Sequence, residues 1–328
     1  MAGEEHVDAE SSATRLTPSF DETARTEDIK FSPSGRVLAV AATTRSIAVF
    51  AIDTGACPIQ ISRHAILKSS SFSSPHGVDF LSDDVIVVAN RAGWVTFYRV
   101  PPVEAWQEQM TIEPIHEMRS VWFGHKGAKR ETTERWINCG PGSVRVHGKN
   151  LFVCCNNANT VTVHPYEIAE GRIATGDGTV ITQAGLEIPD GVALTRDGRW
   201  MAVSNHQHHC VMIIRRSDGT LAGVLRDDDL RHPHGLCFDP VGGSLYVADA
   251  GERHLHVFMS GGDWQSANGS IFKLPAVDVD AFCKTREAVP EELRALEGGI
   301  KGIDIDPSGR VLATTCRHQT LRFFEILR

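Results

Sequence analysis

Cysteine is sparse in this chain: eight residues in 328, with no CxxC pair. That excludes a disulfide scaffold. Adjacent Cys154 and Cys155 cannot easily bridge each other, so reduced thiols filling strand interiors are expected. No Lys/Arg block reaches five residues and the formal net charge is −8, a balance that disfavours nucleic acid as a partner. No apolar run approaches the roughly 18 residues of a membrane-crossing helix, so no membrane partner is expected. The opening MAGEEHVDAESSATR is acidic and polar. Without the basic and apolar segments of a secretory leader, it points to a cytoplasmic setting. A GxSxG elbow, a P-loop, GxGxxG, HExxH and an EF-hand loop are also missing, so none of the chemistries those motifs carry has an anchor.

What the chain has is repetition, the property to look for first in a sequence of this length. One unit recurs six times, beginning at Asp28, His76, Gly142, Asp190, His234 and Lys301. Each is a short apolar alternation, a turn rich in Asp, Gly or Ser, a second β-rich run, a polar turn and a third alternating run. The second and third runs start ten residues apart in every unit: Val37 to Ile47, Val85 to Val95, Leu151 to Val161, Trp200 to Cys210, Leu245 to Leu255 and Val311 to Leu321. Period-2 alternation makes the runs strands, and SPSG, RDG and DPVGG make tight turns between them. Three strands and a looser fourth, six times over, predict an all-β chain: a six-bladed β-propeller with loop insertions on one face. Each blade leaves both faces of its sheet to be covered by its neighbours, and closure removes most exposed edges. The expected organisation is a disordered tail over residues 1–14 and one propeller domain over 15–328. The last blade lacks a fourth strand, which a segment near 15–26 would supply.

HPHGLCFDP with GGSLYVADAGERHLHVF, IPDGVALTRDGRWMAVSN and KGIDIDPSGRVLATT resemble the repeats of NHL-type and SMP-30/gluconolactonase-like propellers, over most of residues 27–328. The resemblance implies a superfamily and leaves the reaction open. Its members include metal-dependent lactonases and phosphotriesterases, strictosidine-synthase-like enzymes, a peptide-amidating lyase module with a His-ligated zinc, and plain protein-binding propellers. The Gly-His and Trp-Asp signature of WD40 repeats is missing.

Aligning the units places two rings of side chains around one opening. The first holds Glu27, His76, Gly142, Asp190, His234 and Lys301, each two residues before the first apolar position of an inner strand. The second holds Ala42, Asn90, Asn156, Asn205, Ala250 and Cys316. Two carboxylates about 6 Å apart at an effective dielectric near 20 repel by roughly 3 kcal/mol; a cation, a shared proton or the Lys301 ammonium relieves that. Glu27, His76, Asp190 and His234 are therefore the candidate metal ligands, with water-filled structural polarity as the bland alternative. In SMP-30-like enzymes acidic and Asn side chains from these positions hold the metal. The two histidines depart from that pattern, arguing against Ca²⁺ and for Zn²⁺ or another transition metal. His206 is the candidate third nitrogen ligand or proton shuttle. Asn90, Asn156 and Asn205 are candidate substrate contacts, with His206 and Lys301, although Asn at such places also caps the following turn.

The expectation that follows is metal-assisted hydrolysis of a lactone or related small ester, with Asp190, His76 or His234 as the proton acceptor. One alternative is a metal-independent lyase or condensing enzyme in which His76 or His234 works with Glu27. The other is a non-catalytic NHL-like module that grips a protein partner. Insertions at 101–140, 164–188 and 259–299 are expected on the mouth face, as a lid or substrate pocket. The first carries Trp106, His116, Trp122, His125 and Trp136, which suit an apolar ligand or an ordinary cluster beneath the loop. In the third, Pro290 and Gly298 bracket a short helix.

Overall fold

In the computed structural model, residues 25–118, 139–182, 185–241, 243–260, 264 and 270–327 are described. They form six sheets, antiparallel except for one added strand, arranged as the six blades of a β-propeller. The innermost strands are Thr26–Phe31, Pro75–Ser82, Pro141–His147, Pro189–Leu194, Pro233–Phe238 and Gly302–Ile305. The second strands begin within one residue of the expected positions, at Val37, Val85, Asn150, Trp200, Ser244 and Val311. They read as nearly unbroken apolar runs, such as Val37–Ala42, buried throughout, because blades cover both of their faces. Val37, Ala39 and Ala41 pack toward the second blade; Leu38 and Val40 pack toward the sixth. Six hydrophobic clusters result, one for each seam between blades.

The axis is polar. Inner strands converge there, and each leaves main-chain groups that must find partners away from water. Charged side chains supply them. Asp28 Oδ2 accepts the Val78 N–H of the next blade at 3.1 Å, and Asp79 Oδ2 accepts that of Val146 at 2.7 Å. Asp304 Oδ2 accepts the Phe31 N–H at 2.9 Å, while Lys30 Nζ donates to the Ile303 carbonyl at 2.8 Å, so these two close the sixth blade on the first. Arg145 spans two seams, donating to the carbonyls of Val192 and Leu236. Its guanidinium is buried, which disfavours charge, but the carboxylates of Asp79, Asp304 and Asp28 hold its pKa above the ordinary value.

Five inner strands carry a register shift at their first residues, at Thr26/Asp28, Pro75/Gly77, Pro141/Ser143, Pro189/Val192 and Pro233/Leu236. Such bulges re-aim a side chain without ending the pairing, and here they turn the ring residues into the mouth. The glycine that follows is required by crowding: a Cβ on Gly191 would overlap the His234 carbonyl oxygen, and one on Gly235 that of Lys301.

All eight cysteines are free thiols, six of them buried. The described part of the first insertion departs from expectation. Its 3-10 turn Val103–Ala105 and Trp106 lie beside Ser34 and Asp83, in turns at the end of the blades opposite the mouth. Trp106 is buried in the core between the first two blades and donates to the Pro101 carbonyl, so the plain cluster is the right account of it. Strand Gln109–Thr111 then pairs in parallel with the outer strand of the first blade, Gln60–Lys68. His116 meets Thr175 Oγ1 at 2.9 Å. Trp122, His125 and Trp136 lie outside the described residues, as do 1–24, the tail and most of the expected closing strand. In the third insertion Pro290 precedes a 3-10 helix, Glu291–Leu296, and Gly298 follows it with φ 123°. An α-helix not anticipated there spans Val279–Glu287.

Two outcomes follow. Gly191→Ala must move the His234 backbone, and a loss of about 1–3 kcal/mol in urea unfolding is expected. Burial lowers His164 to about 4, so its contribution is fully present above about pH 6.5 and shrinks as the pH falls towards 4. One such imidazole contributes a slope of at most about 1.4 kcal/mol per pH unit. His164→Gln is expected to reduce the pH dependence of urea unfolding in that window by this amount.

Candidate functional site

The bulged strand starts bring Glu27, His76, Asp190 and His234 together at the mouth, where Lys301 joins them from the unshifted sixth blade, all buried. The histidine rings of the second and fifth blades stack with centroids 5.2 Å apart. His76 Nδ1 lies 2.7 Å from the Gly142 carbonyl and His234 Nδ1 3.2 Å from that of Lys301. A carbonyl only accepts, so both Nδ1 atoms carry hydrogen and both Nε2 atoms turn to the carboxylates. His76 Nε2 and His234 Nε2 stand 3.3 and 3.4 Å from Glu27 Oε2. His234 Nε2 is also 2.9 Å from Asp190 Oδ2.

His206 enters from the short 3-10 turn His206–His208 that follows the second strand of the fourth blade. It places Nε2 3.2 Å from Asp190 Oδ2 and its ring 3.9 Å from that of His232. Asn156 arrives by a less obvious route. Gly142, the ring position of the third blade, has no side chain, and Asn156 fills its place: a Cβ on Gly142 would strike the Asn156 amide and lie 2.6 Å from Asp190 Oδ1. Asn156 Nδ2 donates to that oxygen at 2.7 Å.

Asn90 and Asn205 serve otherwise. Asn90 Oδ1 accepts the Ser73 N–H and its amide donates to the Trp94 carbonyl and Thr96 Oγ1. Asn205 Oδ1 accepts the Glu187 N–H and its amide donates to the Gly185 carbonyl. Both cap the loop that leads into the inner strand, as Asp249 does for Arg231 and His232. The turn-capping alternative describes the bonds they make.

Alignment missed four groups. Arg25 Nε lies 2.6 Å from Glu27 Oε1 and its NH2 3.0 Å from Glu297 Oε1. Glu297 also takes Lys301 Nζ at 3.0 Å. Arg91 reaches across from the second blade to Asp190 Oδ1 at 3.2 Å, and His232 backs His206. Arg91 and His232 lie one residue after Asn90 and two before His234, yet nothing in the residue pattern marks them.

The electrostatics follow from burial. Desolvation alone would raise Glu27, but Lys301, His76 and Arg25 hold it well below the carboxylate range. Asp190 is held low by His76, His234 and Arg91 against the same desolvation. Burial takes His76 and His232 down to about 4 and His206 well below its ordinary value. His234 goes the other way: its desolvation is outweighed by Asp190 and Glu27, and a proton on it bridges the two carboxylates. That leaves neutral His76 with an Nε2 lone pair facing a carboxylate oxygen. Both Glu27 oxygens, Asp190 Oδ2, and Nε2 of His76 and His206 are buried without a directed hydrogen bond.

Acceptors facing each other in the dry call for a cation. Glu27, His76 and His234 form one group whose ligand atoms lie within 4.8 Å of one another; Asp190, His206 and His234 form a second. A tetrahedral ion with bonds of about 2.1 Å spaces its ligands by about 3.4 Å, close to the distances above. The cavity among these residues offers about 10 Å³ to the centre of a water molecule, enough for one water or one ion. The donor set fits a divalent transition metal such as zinc better than calcium.

An NHL repeat is matched at residues 230–258, the fifth blade and the strand start that bears His234. This is a six-bladed β-propeller that carries an NHL repeat in its fifth blade. The SMP-30-like subgroup has no such support. Over 115 residues, 34% of the chain, the propeller is 30% identical to low-density lipoprotein receptor-related protein 5 of Mus musculus, and it spans 7% of that protein's length. A chain in the crystal structure of the mitotic checkpoint complex superposes with a TM-score of 0.54 at 14% identity, over 94% of this propeller and 76% of that chain. At that identity the likeness is one of fold.

Lys301, almost buried, balances Glu27 and Glu297. Lys301→Met leaves Arg25 as the one remaining arginine or lysine partner of both carboxylates among the described residues, and a loss of about 1–3 kcal/mol, below that of a fully stranded buried charge, is expected in chemical denaturation. Adding Glu297→Gln should restore part of it.

Proposed function

We propose that this NHL-type propeller is a binding protein that recognises a partner protein at a metal-loaded mouth. The observation that carries the metal is the His76 Nε2–Glu27 Oε2 contact, two acceptors facing at 3.3 Å in a buried place. Glu27, His76 and His234 would hold the ion, with Asp190 and His206 beside it. The bound metal supplies an electrophilic centre at the bottom of the mouth. Recognition, in preference to turnover, is supported by the stretch of identity to a receptor-related protein and by the NHL repeat, a unit shared with plain interaction propellers.

Metal-assisted hydrolysis of a lactone or small ester is the second reading, favoured by one observation. His206 is kept neutral by burial and lies 3.2 Å from Asp190, whose carboxylate lines space for a single water. There it can accept a proton while Asp190 steadies the imidazolium.

Metal analysis of the purified protein by mass spectrometry tests the common part. Roughly one divalent transition-metal ion per chain is expected, lost in the His76→Ala/His234→Ala double variant. Metal-free wild-type protein that cannot be loaded with zinc would remove the basis of both readings. Turnover of a lactone and ester panel separates them: none is expected, and turnover abolished by His206→Phe would replace the binding reading with the hydrolase.

A further inference from the structure

Apart from a proton on His234, the charges of the cluster already balance without a metal. Glu27, Asp190 and Glu297 face Arg25, Arg91 and Lys301. A divalent ion that displaces the His234 proton leaves this buried assembly about two charges positive, and burial in low dielectric makes an uncompensated charge costly. The remedy is a negative group from outside.

The cations are placed to receive one. Lys301 is almost wholly buried, its side chain 7% exposed, whereas those of Arg25 and Arg91 are each 34% exposed. Each arginine meets a buried carboxylate while about a third of its side chain reaches solvent. Among the described residues, Asp190 is the only partner of Arg91, which leaves donors of its planar fork for a second oxyanion. The short turns after the second strands surround the mouth, and they carry Arg45, Arg91, Arg253 and Arg317 against a single acidic residue, Glu252. The loops that lead into the inner strands add Glu187, Asp227, Asp228 and Asp229 on the same face, so the attraction for an anion rests on the two guanidinium groups themselves.

We propose that the group recognised at the mouth is a carboxylate, bound between the metal and the guanidinium groups of Arg25 and Arg91. This rests on the metal-loaded reading above and names the chemistry of the ligand. A carboxylate can arrive on an acidic side chain or chain end of a protein, or on a free organic acid; the fork and the ion treat them alike.

The test is calorimetric titration of the full-length zinc-loaded protein with three probes: glutarate, a short peptide ending in Glu-Glu, and inorganic phosphate. The variants are Arg91→Gln, Arg91→Lys and Arg25→Gln, each checked for zinc content and for its circular dichroism spectrum. Expected is binding of a carboxylate probe that weakens about tenfold or more in Arg91→Gln and in Arg25→Gln while zinc is retained, with Arg91→Lys intermediate. Peptide bound more tightly than glutarate identifies a protein source, and the reverse a free acid. Zinc-loaded protein that binds neither carboxylate, binds phosphate better than both, or binds them equally well in the arginine variants overturns this inference and leaves the metal site standing. Protein that takes up no zinc overturns the metal reading, and this inference with it.

Discussion

Closing six sheets into a ring drives their innermost strands together at the axis, where backbone meets backbone and water is largely excluded. This crowding governs the rest of the molecule. Side chains there must be small or must bond to the neighbouring strand, which is why glycine alternates with Asp, Lys and Arg at the centre. Asp28, Asp79 and Asp304 each take a main-chain N–H from the next blade. Lys30 and Arg145 answer the carbonyls. The apolar cores hold neighbouring blades face to face, and this polar lacing sets the register in which they meet.

The mouth cluster grows from the same constraint. A strand that starts with a bulge has one residue free of the ladder; in four of the five bulged blades its side chain points down the opening, and in the third, where it is Gly142, Asn156 fills the space. The sixth contributes Lys301 without a shift, bonded through its own N–H to Thr315. Carboxylates, imidazoles and ammonium groups are thereby pressed into one dry volume, and their protonation follows. His76, His206 and His232 lose affinity for protons because burial dominates, whereas His234 gains it because it alone touches both Glu27 and Asp190 within 3.4 Å.

Much of this was legible in the residues. A ten-residue step repeated six times fixes strand pairing within each blade, because it reflects two strand halves and one tight turn. The ring positions Glu27, His76, Asp190, His234 and Lys301 followed from alignment, since each precedes the same apolar position. His206 was legible too, as a histidine in a mouth turn. What resisted was anything carried by a long side chain crossing between blades. Arg25 and Arg91 meet Glu27 and Asp190 only once the ring is closed, and Glu297 belongs to an insertion outside the repeat. Asn156 enters through the space that Gly142 leaves empty, a relation between two residues that neither one signals. Asn90 and Asn205 show the converse: their equivalent positions suggested a shared ligand, but their amides bond the entry loop and the adjacent third strand of their own blade. The helix Val279–Glu287 went unread because few of its side chains are buried, so it lacks a clear apolar stripe.

The strand Gln109–Thr111 leaves its own blade to pair with the outer strand of the blade before it. Arg63 adds bonds from its guanidinium to the carbonyls of Val103 and Glu104, and Ile66 and Ile112 extend the main-chain pairing on either side. The first two blades are thus basted together by backbone as well as by side chains. In the language of native-state exchange they make one cooperative unit, with the amides of 66–68 and 109–112 opening together. A ring built this way has a preferred order of coming apart, in which the doubled pair outlasts the blades joined chiefly through side chains.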